Sequence, residues 1–211
     1  MISYRRTALF IMATVAVFAS LSPISAEDAS VAGKPRIIVF GFVNLTGDAS
    51  FSIPTETATE NLAFTLKLLP KYEALETELI LRNLSDETLA KYCLLNRRDF
   101  ILYGSLDEDS EGRQLYTLSL FDREKGETTI HESDTGNSVL DVFTITDRLS
   151  ASVLGTILGR RLTFGSIEIR NIGKPAEFDV SIDGVPVKSG EGTIEHIPDG
   201  PHTVHIARKD S

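Results

Sequence analysis

The chain has 211 residues, of which 42% are hydrophobic and 24% charged, and a formal net charge of -9. That length allows one domain or two small ones, and the acidic balance disfavours nucleic acid and anionic lipid as partners, because both are held by basic surface that releases counterions. Cys93 is the only cysteine, which excludes an intramolecular disulfide and gives a Cys-based metal site no support.

The amino terminus reads as a targeting segment. Arg5 and Arg6 form a positive start, residues 9–21 an apolar stretch, and Ile24-Ser25-Ala26 a small-residue cleavage site before Glu27. Residues 1–26 are therefore expected to be a signal peptide, cleaved near Ala26 and absent from the fold. An uncleaved anchor is the competing reading, but the apolar run falls short of the ~20 residues of a spanning helix and is interrupted by Ser20, Ser22 and Pro23. With no cysteine near the cleavage point, lipid attachment there is excluded. Thr7-Ala8-Leu9 lacks the aromatic residue of a twin-arginine signal, so the general secretory route is expected. Cleavage moves the charge from -9 to -11, since Arg5 and Arg6 leave and no acid does. These features predict a bacterial protein, periplasmic or secreted, with no stable membrane span after cleavage.

From Arg36 onward the pattern reads β-α-β-α-β-β-β-α. Ile37-Ile38-Val39-Phe40-Gly41-Phe42-Val43 is a continuous apolar run, as in a central strand covered on both faces. Asn44-Leu45-Thr46-Gly47-Asp48 closes it. A helix is predicted from about Thr57, where Thr57 and Glu60 have capping-box spacing, with Leu62, Leu66 and Leu69 on one face and Pro70 as its stop. Residues 72–75 suggest a short strand, and 77–95 a helix with a break near Asn83, because Ser85 looks like a fresh N-cap. Within it Cys93 reads as a buried, inert thiol. Residues 100–106 form the second strong apolar strand.

A hairpin comes next. Tyr116, Leu118 and Leu120 alternate with Thr117 and Ser119, and residues 122–126 turn the chain into 128–135. Alternation predicts one covered face. Ser138 and Asp141 are placed to cap a helix whose apolar positions Val142, Phe143, Leu149, Val153 and Ile157 run to Gly159. Gly159-Arg160-Arg161 marks the expected boundary. Beyond Thr163 the period changes from 3.6 to 2: Ile167 and Ile169, then Phe178, Val180 and Ile182, then Val204 and Ile206 recur at every second residue, broken by Asp-Gly turns at Asp183-Gly184 and Asp199-Gly200. Such strands predict a sandwich.

Two resemblances follow from these residues. Segment 165–208 resembles a PEGA domain, a small β-sandwich-like module, through its Gly165-Ser166-Ile167-Glu168-Ile169 strand, its Ser181-Ile182-Asp183-Gly184 turn and its Pro198-Asp199-Gly200-Pro201-His202-Thr203-Val204 lead into the last strand. It departs from the family where Lys174-Pro175-Ala176-Glu177-Phe178 stands for the signature tetrapeptide and Ser189-Gly190-Glu191-Gly192-Thr193 for the usual Gly-x-Thr-Pro. The closing Gly-Tyr is missing before Ser211, so the module is either trimmed or part of a longer protein. Segment 35–159 looks like the α/β amino-terminal domain of TolB and related envelope proteins of the CsgG class, on Ile38 to Asp48, on Asp99-Phe100-Ile101-Leu102-Tyr103-Gly104-Ser105 and on Leu118-Ser119-Leu120-Phe121-Asp122. That resemblance implies a periplasmic partner-binding domain with no catalytic site to transfer. The lipid-anchor cysteine of the secretion-channel branch is missing, as is a long alternating segment for a membrane barrel, so a pore is discounted.

Candidate chemistry weakens residue by residue. Asp107-Glu108-Asp109-Ser110-Glu111-Gly112 has the early spacing of a calcium loop, but position twelve is Leu118 and the flanks read as strand, so a solvated acidic turn is preferred, with weak surface calcium binding left open. His202 and His205 are three apart and point to opposite faces of one strand, His202 sharing its face with Val204 and Ile206. With His196 they read as edge or partly buried histidines, not zinc ligands, and His131 has no clustered partner. No Gly-x-Ser-x-Gly or Ser-x-x-Lys context surrounds Ser105, Ser150 or Ser152. The glycines at 41 and 47 lack the Gly-Lys ending of a phosphate loop. Glu56, Glu60, Glu73, Glu76 and Glu78 read as solvated surface.

The expectation is therefore a signal peptide over 1–26, a TolB-like α/β domain over 35–159 and a PEGA-like β domain over 163–211. It is a non-enzymatic envelope protein with no cofactor, metal or catalytic residue assigned, binding another envelope protein or a cell-wall polymer, with partner identity and oligomeric state open. The alternative is an extracytoplasmic hydrolase with a site of dispersed carboxylates. Docking is expected at the edges of the β module and at the turn after the first strand. Asn44, Thr46, Asp48, Asp183 and Asp199 are read as turn residues first.

Overall fold

A computed structural model describes residues 35–69, 73–77, 84–170, 178–187 and 192–208, the backbone alone at 73–77. The signal peptide, Pro70, Glu78, Lys174-Pro175-Ala176-Glu177 and Ser189-Gly190-Glu191 lie outside the described residues. The apolar run at 37–43 forms the middle of strand β1 (Arg36–Asn44), parallel to β2 (Glu73–Thr77) on one side and to β3 (Phe100–Glu108) on the other. β4 (Gln114–Asp122) and β5 (Glu127–Gly136) add antiparallel to β3, giving a mixed sheet in the order β2-β1-β3-β4-β5.

Among the described residues three helices accompany the sheet, α1 (Ser52–Lys67), α2 (Asp86–Asn96) and α3 (Val142–Leu158). Side-chain alternation sorts the strands between them. Ile37, Val39, Leu102, Leu106, Tyr116, Leu118 and Leu120 join Leu62, Leu66 and Leu69 of the α1 segment and Val142, Leu149 and Val153 of α3 in the main core. Burying each of these leucines contributes roughly 1.5–3 kcal/mol. On the opposite face Ile38, Phe40, Ile101 and Phe121 meet Leu89 and Cys93 of α2. β4 is therefore covered on both faces at its end, where a single covered face was expected, because Phe121 and Ser119 lie buried on the α2 side.

Helix limits differ from the expectation for local reasons. α1 starts at Ser52, not Thr57, because Asp48 accepts the Ser50 N–H at 2.8 Å and opens a 3-10 turn (Ala49–Phe51) that runs into the helix. Pro54 falls in the first turn, where its missing N–H costs nothing. Thr77 ends β2, and of the helix expected over 77–95 the described part is α2, where Ser85 accepts the Thr88 N–H as N-cap, while 78–83 lie outside the described residues. Leu94 and Leu95 are 73% and 82% exposed. Before α3 the Asp141 carboxylate reaches back to the Asn137 and Ser138 N–H groups at 2.8 and 3.0 Å. Gly159 ends the helix at φ 63. Phe143, counted among the apolar core positions, is instead 39% exposed.

After α3 the chain builds two small sheets. β6 (Phe164–Ile169) pairs with β9 (Gly192–Pro198), and β7 (Phe178–Ile182) lies between β8 (Val185–Val187) and β10 (Val204–Arg208). Asp183 and Gly184, at φ 51 and 81, are the two-residue turn between β7 and β8, the left-handed pair that an Asp-Gly hairpin favours. Ile167 and Ile194 of one sheet pack on Phe178, Val180 and Val187 of the other. These sheets do not stand apart from the helices: Ile182 and Ile197 close over Phe64 and Leu68 at the end of α1, and Leu162 and Phe164 join the main core. Val204 and Ile206, expected on a covered face, are 38% and 53% exposed because β10 is an edge strand among the described residues.

Candidate functional site

Among the described residues, α2 covers only part of its face of the large sheet, and the rest of that face forms a groove. Its cause lies in β1. The register slips between Phe40 and Phe42, so Gly41 bulges and Phe42 turns to the opposite core. The Thr59 hydroxyl accepts the Phe42 N–H at 2.8 Å, and a Cβ at Gly41 would stand 2.6 Å from the Thr59 methyl. Beyond this bulge Val43, Leu45 and Leu84 wall a cavity of about 220 Å³ whose remaining surface comes from Tyr103, Gly104, Ser105, Thr117, Ser119 and His131.

Hydroxyls cross the strands beneath it. Thr117 Oγ1 and Ser133 Oγ are 3.0 Å apart, and Ser119 Oγ lies 2.8 Å from His131 Nδ1. Tyr103 Oη meets Thr128 Oγ1 at 2.9 Å, and Thr128 donates through its hydroxyl and its N–H to Asp86 Oδ1 at 2.9 and 3.2 Å, so the start of α2 is tied to β5 at one end of the groove. The pairing of Ser119 with His131 escaped the sequence reading, which left His131 without a partner. Counting back from the turn gives the wrong register, since a bulge between Leu120 and Phe121 shifts β4 against β5. Among the described residues no carboxylate bonds to the other ring nitrogen of His131, and a catalytic serine–histidine pair requires such an orienting group.

A second cluster joins the small sheets to the helices. His196 Nδ1 lies 2.6 Å from Asp147 Oδ2, Asn61 Nδ2 donates to Asp147 Oδ1 at 3.2 Å, and the Phe143 ring stacks on His196 with centroids 5.0 Å apart. At the last corner the His202 ring, 10% exposed, contacts Asp183 and the Pro198 carbonyl. His202 lies before β10 and not in it, so it shares no strand face with Val204 and Ile206 as the sequence had suggested. The three histidines go to separate places: His196 to α3, His202 to the β7–β8 turn, and His205 to an exposed position on β10.

The acidic turn at 107–112 joins β3 to β4. Asp109 Oδ1 accepts the Glu111 and Arg113 N–H groups at 2.9 Å, and Arg113 Nε donates to Oδ2 at 2.8 Å. Asn44, Thr46 and Asp48 bond one another and the Ser50 N–H within their own turn. Asp199 accepts from Arg160 Nη1 at 2.7 Å and from the Thr163 N–H at 3.2 Å, so Arg160 struts the end of α3 against the β9–β10 corner. Hydrogen bonds hold several carboxyls below the usual carboxylate range: the Ser50 N–H acts on Asp48, the Arg113 N–H on Asp109, the Asn137 N–H on Asp141, and the Arg160 side chain on Asp199. A general acid at neutral pH needs the opposite displacement.

No protein-family model and no curated protein sequence matches the chain. Among solved structures it is similar to the PelC dodecamer from Paraburkholderia phytofirmans, at 14% identity and a TM-score of 0.39, over 56% of this chain and 85% of that one. It is similar to the LpoB C-terminal domain from Escherichia coli at 14% identity and a TM-score of 0.40, over 51% of this chain and 86% of that one. With TolB from Acinetobacter baumannii the identity is 12% and the TM-score 0.45, over 83% of this chain and 36% of the TolB chain.

Proposed function

We propose that the protein is a non-enzymatic, exported binding module of the cell envelope, a TolB-like α/β domain joined to a PEGA-type β module, whose partner is another envelope protein. The observation that carries this reading is the groove on the α2 face, an open patch of sheet that presents hydroxyls between aliphatic walls next to the edge strand β5. Such a surface offers shape and hydrogen bonds, and edge strands accept an added strand. Of the carboxylates open to the hydrolase alternative, four are held in ion pairs: Asp99 with Arg36 and Arg123, Asp109 with Arg113, Asp134 with Arg148, and Asp199 with Arg160. Export rests on the amino-terminal pattern. Among the described residues no helix is long and apolar enough to cross a membrane.

The test places a photoreactive residue at Ser133, exposed beside the groove, and separately at Glu60, exposed on α1. Irradiation of intact cells of the source organism should give one discrete adduct with an envelope protein from position 133 and none from position 60. Equal adducts from both positions, or none from either, would remove the groove reading. Substrate turnover abolished by a single polar substitution would remove the non-enzymatic one. A glycan adduct at position 133 would move the partner to the cell-wall polymer.

A further inference from the structure

Both ring nitrogens of His202 face acceptors. Nδ1 lies 2.7 Å from Asp183 Oδ2, and Nε2 lies 2.6 Å from the Pro198 carbonyl oxygen. A carboxylate and a carbonyl only accept, whereas neutral imidazole carries a single N–H. The two contacts are therefore both hydrogen bonds only while the ring is an imidazolium. Water has little access to replace either of them, since the side chain is 10% exposed.

The same corner carries the start of β10. The Asp183 N–H donates to the Thr203 carbonyl at 2.9 Å, and the Thr203 N–H donates to Asp183 Oδ1 at 2.7 Å. Pairing with β7 begins at the next residue, Val204 opposite Ile182. Among the described residues β10 has no strand on its outer side, and Val204 and Ile206 bury little, so β10 is held by its pairing with β7 and by this corner.

We propose that His202 is a pH-sensitive clamp, closing the β9–β10 corner as an imidazolium and, on losing its proton, releasing β10 from β7. Whichever nitrogen loses the proton, a lone pair then faces an acceptor, Asp183 on one side or Pro198 on the other, and the ring must leave. β7 becomes the sheet edge, with backbone groups free to pair with an incoming strand.

The charged groups around the ring are Asp183 from the β7–β8 turn and Asp199 from the β9 corner, with Arg160 from the end of α3 paired to Asp199. Burial opposes the charged ring, but the bonds to Asp183 and Pro198 and the charges of Asp183 and Asp199 outweigh it and raise the His202 pKa. A raised folded value means that the clamp is complete below the ordinary histidine value of about 6.5 and is lost as pH rises through the folded value.

The test follows the ring nitrogens of His202 by NMR in the full chain while pH is raised, with amide-exchange protection factors at Asp183 and Thr203. His202 should hold two ring protons at pH values above about 6.5. Protection at both amides should fall by about tenfold or more as it titrates, the scale of losing one charged hydrogen bond, while the β3–β4 pairing keeps its protection. In Asp183→Asn the transition should move to lower pH. A single ring proton at or below about pH 6.5 would overturn the proposal. So would a titration that leaves protection at Asp183 and Thr203 unchanged.

Discussion

His196 sits in a left-handed conformation, φ 63, in the middle of a strand, and Asp147 on α3 holds its ring at 2.6 Å. The strain has a local origin. β6 and β9 slip register between Gly165 and Ile167, leaving an extra residue on β9. A non-glycine residue in this conformation costs about 1–2 kcal/mol, offset here by the carboxylate bond and the Phe143 ring.

Glycine at position 196 should therefore be tolerated better than alanine. Both His196→Gly and His196→Ala lose the Asp147 and Phe143 contacts, but only alanine keeps the strain. Relief of about 1–2 kcal/mol, less about 0.5–1 kcal/mol of added chain entropy, puts the glycine variant ahead by up to about 1.5 kcal/mol. Urea midpoints of the two variants measure it. The reverse order would mean that β9 does not adopt this bulge.

What could be read in the sequence follows from which interactions are local. The alternation at 116–120, the Asp183-Gly184 turn, the caps at Ser85 and Asp141 and the buried Cys93 are each specified within a few residues, and each is present. The start of α1 was misplaced because the Thr57–Glu60 spacing mimics a cap, while Asp48 acts through an intervening 3-10 turn. Neither the groove nor the His196 cluster was legible. The groove depends on bulges at Gly41 and near Leu120 that shift register without changing the apolar pattern, and the cluster joins Asn61, Asp147 and His196 from three separate elements.

Gly104→Ala should destabilise the main core. A Cβ there would lie 2.5 Å from Phe42 Cδ1, in a ring only 4% exposed and set edge-on to Tyr116 at 6.3 Å. Overpacking of this kind costs about 1–3 kcal/mol. In a Phe42→Ala background the obstructing ring is gone, so the same substitution should cost close to nothing. A double-mutant cycle in urea checks the coupling, and additive losses would contradict the packing.

Cys93 should be silent to thiol reagents while the protein is folded. Its side chain is fully buried, and burial pushes its pKa up to about 11, with only the Arg123 charge acting the other way and Asp99 and Asp122 adding to the rise. At pH 8 about one thiol in a thousand would be ionised even with access. Disulfide-exchange labelling should be slow in buffer and complete in denaturant, at a rate in buffer that follows opening of the fold. Rapid stoichiometric labelling of the native chain would show that α2 does not cover the sheet at Phe40 and Phe121.

Ser119 and His131 share one hydrogen bond but should not share its loss equally. Ser119 is 2% exposed, whereas His131 is at the surface. In His131→Ala the serine hydroxyl is left buried without its partner, a cost of about 1–3 kcal/mol. In Ser119→Ala the imidazole turns to water, and the loss should stay below about 1 kcal/mol. If the pair were instead a nucleophile and its base, either substitution would abolish turnover to a similar extent while stability hardly moved. Measuring urea stability and partner adducts for both variants separates the two cases: a binding surface should show the unequal stability loss, with adduct yield at position 133 following the shape of the groove and not the presence of a hydroxyl at 119.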